Sequence, residues 1–390
     1  MKLHTRVPAA LAVGLLAFLA FTEVTPRAVP TPTRPVPNTR AAAIAIDVDE
    51  LRIQERIASM NLDAKLAQLM IVHCAGLNPV EVSACVGSAG ASGAILMGDN
   101  IGPNPSAVAA LTSALPDDAV FPMLVAIDEE GGEVARLAWD TLPGGEALAN
   151  TPVEDTRATF AQRALLLREV GVNLNFGVVA DVTDDRNSFL FSRVLGHDPQ
   201  SVTDRVVAAV AGEGTAVAST LKHFPGHGAA SGNSHTEIPV SQLDFASWLT
   251  SAAVPFVAGI NAGAPVVMMG HIVFPNVDSA PASLSPVWNR ILRDQLGFRG
   301  VVVSDDLLML QHNGIAEFAD PATNALRALQ AGTDLLLWVL PADPVSAGVN
   351  LTHIRASLAA AVSDGRLLES QVDSALARVL RLRLELGRAR

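Results

Sequence analysis

Short apolar runs recur along the chain and are separated by longer stretches with helical periodicity. The runs are continuous rather than alternating, which is typical of parallel strands that are buried on both faces. They cover residues 67–72, 93–97, 123–127, 172–179, 217–221, 265–269, 300–303 and 334–339. The clearest helical patterns between them cover residues 107–115, 156–170, 199–212, 245–261 and 286–296. Eight strand-helix units predict a (β/α)8 barrel of the TIM type, formed as a single domain by residues 46–390.

An open, doubly wound sheet is the alternative architecture. No Gly-x-Gly-x-x-Gly motif follows the first apolar run, which weakens this alternative. The barrel makes the sharper prediction, because the functional groups of such barrels lie at the C-terminal ends of the strands.

Charged side chains follow five of the apolar runs. They are Asp128, Asp181, Lys222 with His223, His271, and Asp305 with Asp306. Because the C-terminal ends of parallel strands meet at one end of a barrel, we expect these side chains to form one site.

The densest group of polar residues follows the fifth run. Residues 222–235 read Lys-His-Phe-Pro-Gly-His-Gly-Ala-Ala-Ser-Gly-Asn-Ser-His and hold three of the chain's nine histidines. Pro225 and Gly226 disfavour a helix, so the segment is predicted to be a loop. His223 and His227 have the spacing of a helical zinc pair, but without a helix we expect no metal there.

The first 24 residues have the pattern of an export signal, with Lys2 and Arg6 ahead of an apolar run at residues 7–21. The run is short for a membrane span and no clear cleavage site follows it, so a signal peptide and an N-terminal anchor both stay open. Residues 25–45 contain five prolines and are predicted to form a stiff linker. We expect an exported protein, secreted or attached to the cell surface or cell wall.

The charge balance narrows the choice of partners. The chain has 27 basic and 39 acidic residues, which give a formal net charge of −12. This negative charge argues against nucleic acid and anionic membrane surfaces as binding partners. The two cysteines, Cys74 and Cys85, can pair in an oxidising compartment, and two separate buried thiols fit their spacing equally well.

The segment 222–235 resembles the signature of the β-N-acetylglucosaminidases of glycoside hydrolase family 3. Residues 127–137, Ile-Asp-Glu-Glu-Gly-Gly-Glu-Val-Ala-Arg-Leu, are similar to the family's Asp-x-Glu-Gly-Gly-Arg-Val-x-Arg stretch. Other similar pieces are residues 171–176 with Asp181, Arg193 with residues 196–199, and the strand at residues 297–306. The resemblance covers residues 50–388 and implies a single-domain enzyme that needs no cofactor.

The resemblance also implies roles for single residues. Asp305 matches the nucleophile of a retaining glycosidase, which forms a covalent bond to the anomeric carbon. His235 matches the general acid/base, a task suited to an imidazole pKa of about 6.5. The sugar-binding positions match Asp128, Arg136, Arg193, Lys222 and His223. His271 is expected to line the same pocket, and a buried structural histidine is the alternative for it. Asp306 is the expected cap of the next helix, and His227 is expected to hold the loop.

Two residues depart from the family pattern. Asn233 stands where the family has the Asp of an Asp-His dyad, so it can orient His235 but cannot stabilise the imidazolium by charge. In a serine-protease triad the comparable change costs on the order of 10⁴ in rate, an upper bound here. Glu237 is a candidate substitute partner. Glu133 replaces an Arg and reverses a charge near the site.

The resemblance therefore implies a retaining β-N-acetylhexosaminidase that acts as a monomer. It is expected to release terminal N-acetylglucosamine from glycans, with cell-wall muropeptides as the expected source. Another β-glycosidase is one alternative. A phosphorylase is a second, because a histidine acid/base does not repel a phosphate acceptor as a carboxylate does. Asn233 leaves a third alternative open, a non-catalytic sugar-binding protein.

Overall fold

The structure is a computed structural model that describes residues 47–389. The predicted export segment at residues 1–24 and the predicted linker at residues 25–45 lie outside the described residues. Eight strands form one sheet within the described part of the chain. They are β1 (Met70–Val72), β2 (Gly93–Leu96), β3 (Leu124–Ile127), β4 (Leu174–Val179), β5 (Ala218–Phe224), β6 (Val266–Met269), β7 (Val301–Ser304) and β8 (Leu336–Trp338).

The strands form a nearly closed barrel. Their spatial order is β7-β6-β5-β4-β3-β2-β1-β8, and all seven pairings are parallel. A parallel bridge between Val303 of β7 and Leu335, next to β8, joins the two ends of the sheet. The predicted (β/α)8 barrel is confirmed, and an open doubly wound sheet is excluded because that architecture has no contact between its edge strands.

Helices flank the barrel. They are α1 (Val48–Ala58), α2 (Leu62–Ala67), α3 (Pro79–Ala89), α4 (Pro105–Ala114), α5 (Gly145–Ala149), α6 (Val153–Glu169), α7 (Pro199–Glu213), α8 (Phe245–Leu249), α9 (Ala253–Asn261), α10 (Pro286–Arg290), α11 (Leu307–His312), α12 (Pro321–Ala331), α13 (Leu351–Ser363) and α14 (Glu369–Arg388). The predicted helix at residues 245–261 is divided into α8 and α9. Pro255 lies in the first turn of α9, where proline's missing N–H is tolerated, whereas a continuous helix would need that donor. A π-helical turn, Ile291–Gln295, follows α10 within the predicted helix 286–296.

Two strand boundaries differ from the prediction. Helix α2 occupies the start of the first apolar run, so β1 begins at Met70 rather than at residue 67. Strand β5 continues to Phe224, so Lys222 and His223 lie within the strand rather than after it. Lys222 pairs with Val179 of β4 and remains in the sheet because carboxylates neutralise its buried ammonium group.

A disulfide ties the end of β1 to α3. Cys74 and Cys85 are joined with an S–S distance of 2.00 Å, so the structure favours pairing over two separate thiols. The bond lies at the C-terminal end of the barrel strands. Among residues 47–389, no helix is both long enough and apolar enough to cross a lipid bilayer.

Candidate active site

A cavity of about 250 Å³ lies at the C-terminal ends of the barrel strands. Seven of the nine predicted site residues line it: Asp128, Arg136, Arg193, Lys222, His223, His235 and Asp305. Asn233 lies beside the cavity in contact with His235, and His271 lies behind its wall. The barrel topology thus brings together residues that are up to 177 positions apart in the sequence (128 to 305).

Paired charges form one wall of the cavity. The Nζ atom of Lys222 lies 2.8 Å from Oδ1 of Asp128 and 2.6 Å from Oε1 of Glu130. Arg193 donates two hydrogen bonds to the same Glu130 carboxylate, at 2.9 and 2.7 Å. Burial opposes ionisation of Glu130, but Lys222 and Arg193 lower its pKa to about 2. This wall therefore presents fixed charges of both signs.

His223 is held by a buried carboxylate. Its Nδ1 atom lies 2.7 Å from Oδ2 of Asp181, and its backbone N–H donates to the same oxygen. The other oxygen of Asp181 accepts the backbone N–H of His227. Burial alone would raise the pKa of Asp181, but the His223 imidazole and backbone N–H, together with His227, hold the pKa low. Asp181 thus fixes the ring of His223 and the start of the following loop.

The ring of His227 has no hydrogen-bond partner among the described residues. It packs edge-on against Phe189, with ring centroids 4.9 Å apart. Burial lowers the pKa of His227 to about 4, so the ring is neutral at physiological pH. Since β5 ends at Phe224, His223 and His227 do not form the helical zinc pair that their spacing allows.

Asp305 follows β7 directly, and its surroundings keep the side chain ionised. Its Oδ1 atom accepts the backbone N–H of Asp306 at 2.8 Å. Burial favours the neutral form, but His223, His271, the Asp306 amide and Lys222 together lower the pKa of Asp305 below its ordinary value. A buried, ionised carboxylate facing a cavity has the properties of a nucleophile.

Asp306 has a different environment from its neighbour. Its side chain accepts the backbone N–H of Leu308 at the start of α11 and that of Val339 beyond β8. It therefore caps α11, as the sequence predicts, and links β7 to the end of β8. Burial and the charge of Asp305 raise the pKa of Asp306 to about 7, so the two adjacent carboxyl groups differ in ionisation.

His235 lies on the loop after β5 and is exposed. Oδ1 of Asn233 lies 2.8 Å from Nδ1 of His235, and because this amide oxygen only accepts, Nδ1 carries a hydrogen. Nε2 is then the nitrogen that can exchange a proton. Burial lowers the pKa of His235, and the Asp305 carboxylate opposes this effect. Oε1 of Glu237 accepts the backbone N–H of Asn233, so Glu237 contacts Asn233.

The structure places His271 in a buried position outside the cavity lining. Its Nε2 atom donates to the backbone oxygen of Asp306 at 2.9 Å, and its Nδ1 atom lies 2.6 Å from the hydroxyl of Ser283. Both ring nitrogens are therefore used, and the ring is buried. His271 supports the segment that carries Asp305 and Asp306 from behind.

The model of the glycosyl hydrolase family 3 N terminal domain matches residues 61–382. The chain belongs to this family. It is therefore a glycosidase, and its relatives support β-hexosaminidase activity.

Named relatives of this glycosidase agree in fold and sequence. A β-hexosaminidase of Xanthomonas oryzae pv. oryzae is 39% identical over 239 residues, which span 58% of this chain and 71% of that protein. The structure of a β-N-acetylhexosaminidase from Beutenbergia cavernae matches with a TM-score of 0.71 and 30% identity, covering 84% of this chain and 99% of that one. The structure of a family 3 β-N-acetylglucosaminidase from Paenibacillus sp. matches with a TM-score of 0.75 and 29% identity, covering 84% of this chain and 63% of that one.

The structure gives specific partners to several residues of this glycosidase whose roles at the site are not evident from the sequence. Glu130 pairs with both cations of the charged wall, and Asp181 anchors His223. Glu130 lies within a family 3 motif and Asp181 follows a strand, and these positions in the sequence are what indicates that they belong to the site. Phe189 had no such signal, because its place depends on how the loop after β4 folds over the cavity. Glu133 accepts a hydrogen bond from Ser192, at the edge of the site.

Proposed function

We propose that this glycosidase is a retaining β-N-acetylhexosaminidase with Asp305 as its nucleophile and His235 as its general acid/base. The observation that carries the proposal is that both side chains line one small cavity beside the wall of paired charges. One group is ionised and buried, and the other is an imidazole with one free nitrogen. That combination supplies the two functions that a retaining glycosidase needs.

The proposed reaction has two steps. In the first, a carboxylate oxygen of Asp305 bonds to the anomeric carbon as the glycosidic C–O bond breaks, and the leaving oxygen takes the proton from Nε2 of His235. In the second, Nε2 takes a proton from water, the water oxygen bonds to the anomeric carbon, and the bond to Asp305 breaks. Asn233 keeps the ring of His235 oriented through both steps. Neither step uses a cofactor.

The charged and apolar side chains that line the cavity suit an N-acetylated sugar. The carboxylates accept hydrogen bonds from sugar hydroxyls, and Lys222, Arg136, Arg193 and His223 donate to them. The cavity is also lined by apolar side chains, which include Met97, Met268, Met309, Leu337 and Val339. Such a surface can accommodate the methyl group of an acetamido substituent. The relatives named β-hexosaminidase support an N-acetylglucosamine-containing substrate.

We further propose that the enzyme is exported, acts as a monomer and takes its substrate from cell-wall muropeptides. The apolar N-terminal pattern and the Cys74–Cys85 disulfide support export, because disulfides form mainly in oxidising compartments. Mass spectrometry of purified muropeptides after incubation with the enzyme tests the substrate. Loss of a terminal N-acetylglucosamine is the expected result, and intact muropeptides alongside turnover of a simple glycoside would contradict this source.

Two alternatives give different results in one assay. The enzyme is incubated with an aryl N-acetyl-β-glucosaminide between pH 5 and 8, the range in which a histidine titrates. Release of the aryl group is expected. Binding of N-acetylglucosamine without turnover at any pH would instead support a sugar-binding protein. Formation of the sugar 1-phosphate on addition of inorganic phosphate would identify a phosphorylase. The ordered contact between Asn233 and His235 favours the catalytic alternative, since binding alone does not require it.

A further inference from the structure

Glu129 lies between two residues of the charged wall, but its side chain points away from the cavity. Asp128 and Glu130 on either side of it pair with Lys222, whereas Glu129 is fully buried. Its Oε2 atom accepts the backbone N–H of Arg136 at 2.8 Å and that of Leu137 at 3.1 Å. The proposed reaction makes no use of this carboxyl group.

These two hydrogen bonds close a tight loop after β3. The backbone N–H groups of Glu130 and Gly131 both donate to the carbonyl of Val134, so the chain reverses over a few residues. Gly131 and Gly132 have φ values of +85° and +66°, which only glycine adopts readily. The return arm of this loop carries Arg136 to the cavity, and Glu129 fixes the arm at that point.

Arg136 depends on this fixation because its side chain has weak anchors of its own. Its Nε atom is buried without a hydrogen-bond partner among the described residues. Its nearest paired carboxylate oxygen, Oδ2 of Asp128, is 3.7 Å from the guanidinium. The direction of the guanidinium is therefore set mainly by where the backbone of Arg136 lies.

We propose that Glu129 is a positioning residue, which holds the backbone at Arg136 and thereby places the Arg136 guanidinium for sugar binding. The proposal rests on the proposed function, since it takes Arg136 as a sugar-binding group. Glu129 itself touches neither the sugar nor the reacting atoms. Its effect is on substrate affinity rather than on the bond-breaking step.

The support behind Glu129 is rigid. The side-chain amide of Asn175 on β4 bonds to both the N–H and the carbonyl of Glu129, each at 3.1 Å. The same amide donates to Glu213 of α7 at 2.7 Å. Arg163 of α6 packs against Gly131, where an added Cβ atom would lie 2.1 Å from its guanidinium. The loop is thus backed by β4, α6 and α7.

The two oxygens of Glu129 have separate tasks. Oε2 accepts both backbone donors, whereas Oε1 has no hydrogen-bond partner among the described residues. A proton on Oε1 therefore leaves both bonds in place. A glutamine can reproduce this arrangement, because its carbonyl oxygen accepts two hydrogen bonds. An aspartate cannot, because its shorter side chain withdraws the acceptor from the loop.

The test compares Glu129→Ala, Glu129→Asp and Glu129→Gln by steady-state kinetics on an aryl N-acetyl-β-glucosaminide. Loss of two hydrogen bonds to the Arg136 arm is expected to raise KM about tenfold in the Ala and Asp variants, with kcat within about threefold of wild type. Glu129→Gln is expected to keep KM within about twofold of wild type. Calorimetric titration with N-acetylglucosamine gives the same comparison without turnover, so failure of the proposed catalysis does not obscure the result.

A double-mutant cycle shows whether Glu129 acts through Arg136. In an Arg136→Ala background, adding Glu129→Ala is expected to change KM less than twofold. Glu169→Gln is the control, because it makes the same change of side chain at the exposed end of α6, outside the cavity lining, and its KM should equal that of wild type. A full additional tenfold effect in the Arg136→Ala background would overturn the proposal. So would equal losses of kcat and affinity in the Asp variant, which would indicate general disruption.

Discussion

The contact between Asn233 and His235 gives the strongest quantitative prediction, for the substitution Asn233→Asp. Nδ1 of His235 lies 2.8 Å from Oδ1 of Asn233, so the variant places a carboxylate oxygen at that position. Two unit charges about 4 Å apart interact with about 1 kcal/mol in water and about 4 kcal/mol at an effective dielectric constant of about 20. Because His235 is exposed, the lower end of that range applies. A gain of about 1.4 kcal/mol corresponds to about one pKa unit.

The sign of the effect on activity follows from the role of His235. Burial lowers the pKa of His235, and the first step needs its protonated form, so wild-type kcat/KM falls as the pH rises through that pKa. A carboxylate at position 233 stabilises the imidazolium and moves this fall in kcat/KM, the alkaline limb of the profile, about one pH unit higher. Above both pKa values the protonated fraction rises about tenfold, and the weaker acid offsets part of the gain. We expect a gain in kcat/KM of about three- to tenfold above pH 7, and a gain that shrinks as the pH falls and the wild-type imidazole becomes protonated.

The assay is the pH profile of kcat/KM for an aryl N-acetyl-β-glucosaminide, measured for wild type and Asn233→Asp. Ser231→Asp is the control, because it adds the same charge to the same exposed loop without contact with the His235 ring. Its alkaline limb should coincide with that of wild type. An Asn233→Asp profile that coincides with wild type would refute the reasoning. The second substitution Glu237→Gln would then show whether Glu237, which contacts the Asn233 backbone, already supplies the charge.

Three further predictions concern stability. Lys222→Met leaves Asp128 and Glu130 without their shared buried cation, so urea unfolding should show a loss of about 3 kcal/mol, and a loss below about 1 kcal/mol would contradict the burial argument. Cys74→Ser removes the disulfide, which closes a loop with a sequence separation of 11, and should lower the free energy of unfolding in guanidinium by about 3 kcal/mol. A reducing agent should destabilise wild type to a similar degree and leave the variant unchanged. Burial raises the pKa of Glu213 to about 8, so the folded state holds this proton more tightly than the unfolded state, and stability should fall as pH rises from about 4.5 to about 8. The unfolding temperature of Glu213→Gln should fall less steeply with pH over this range than that of wild type. An equally steep fall would contradict the raised pKa of Glu213.

The barrel was predictable from the sequence because its strands are buried on both faces and read as continuous apolar runs. The family motifs lie at the C-terminal ends of those strands, so the barrel topology alone implied that they meet. Element boundaries were less predictable. Lys222 extends β5 beyond the apolar run because its partners, Asp128 and Glu130 in the loop after β3, neutralise it.

The partners of single side chains could not be obtained from the sequence. Asp181 holds His223 across 42 positions, and this contact depends on the register between β4 and β5. His271 follows its strand as Asp305 follows β7, yet it turns behind the wall because Ser283 and the Asp306 carbonyl satisfy its ring there. Glu129 resembles its acidic neighbours in the sequence and differs only in where its side chain points. These distinctions arise from packing between elements that are distant in the chain.

Covalent trapping tests the central claim most directly. The enzyme is reacted with a fluorinated N-acetylglucosaminyl donor that has an activated leaving group and slows the second step, and the digested protein is analysed by mass spectrometry. We expect one sugar adduct, on the peptide that contains Asp305, and neither adduct nor turnover in Asp305→Asn. Turnover without any adduct, an adduct on another residue, or an active Asp305→Asn variant would contradict the assignment of Asp305 as the nucleophile.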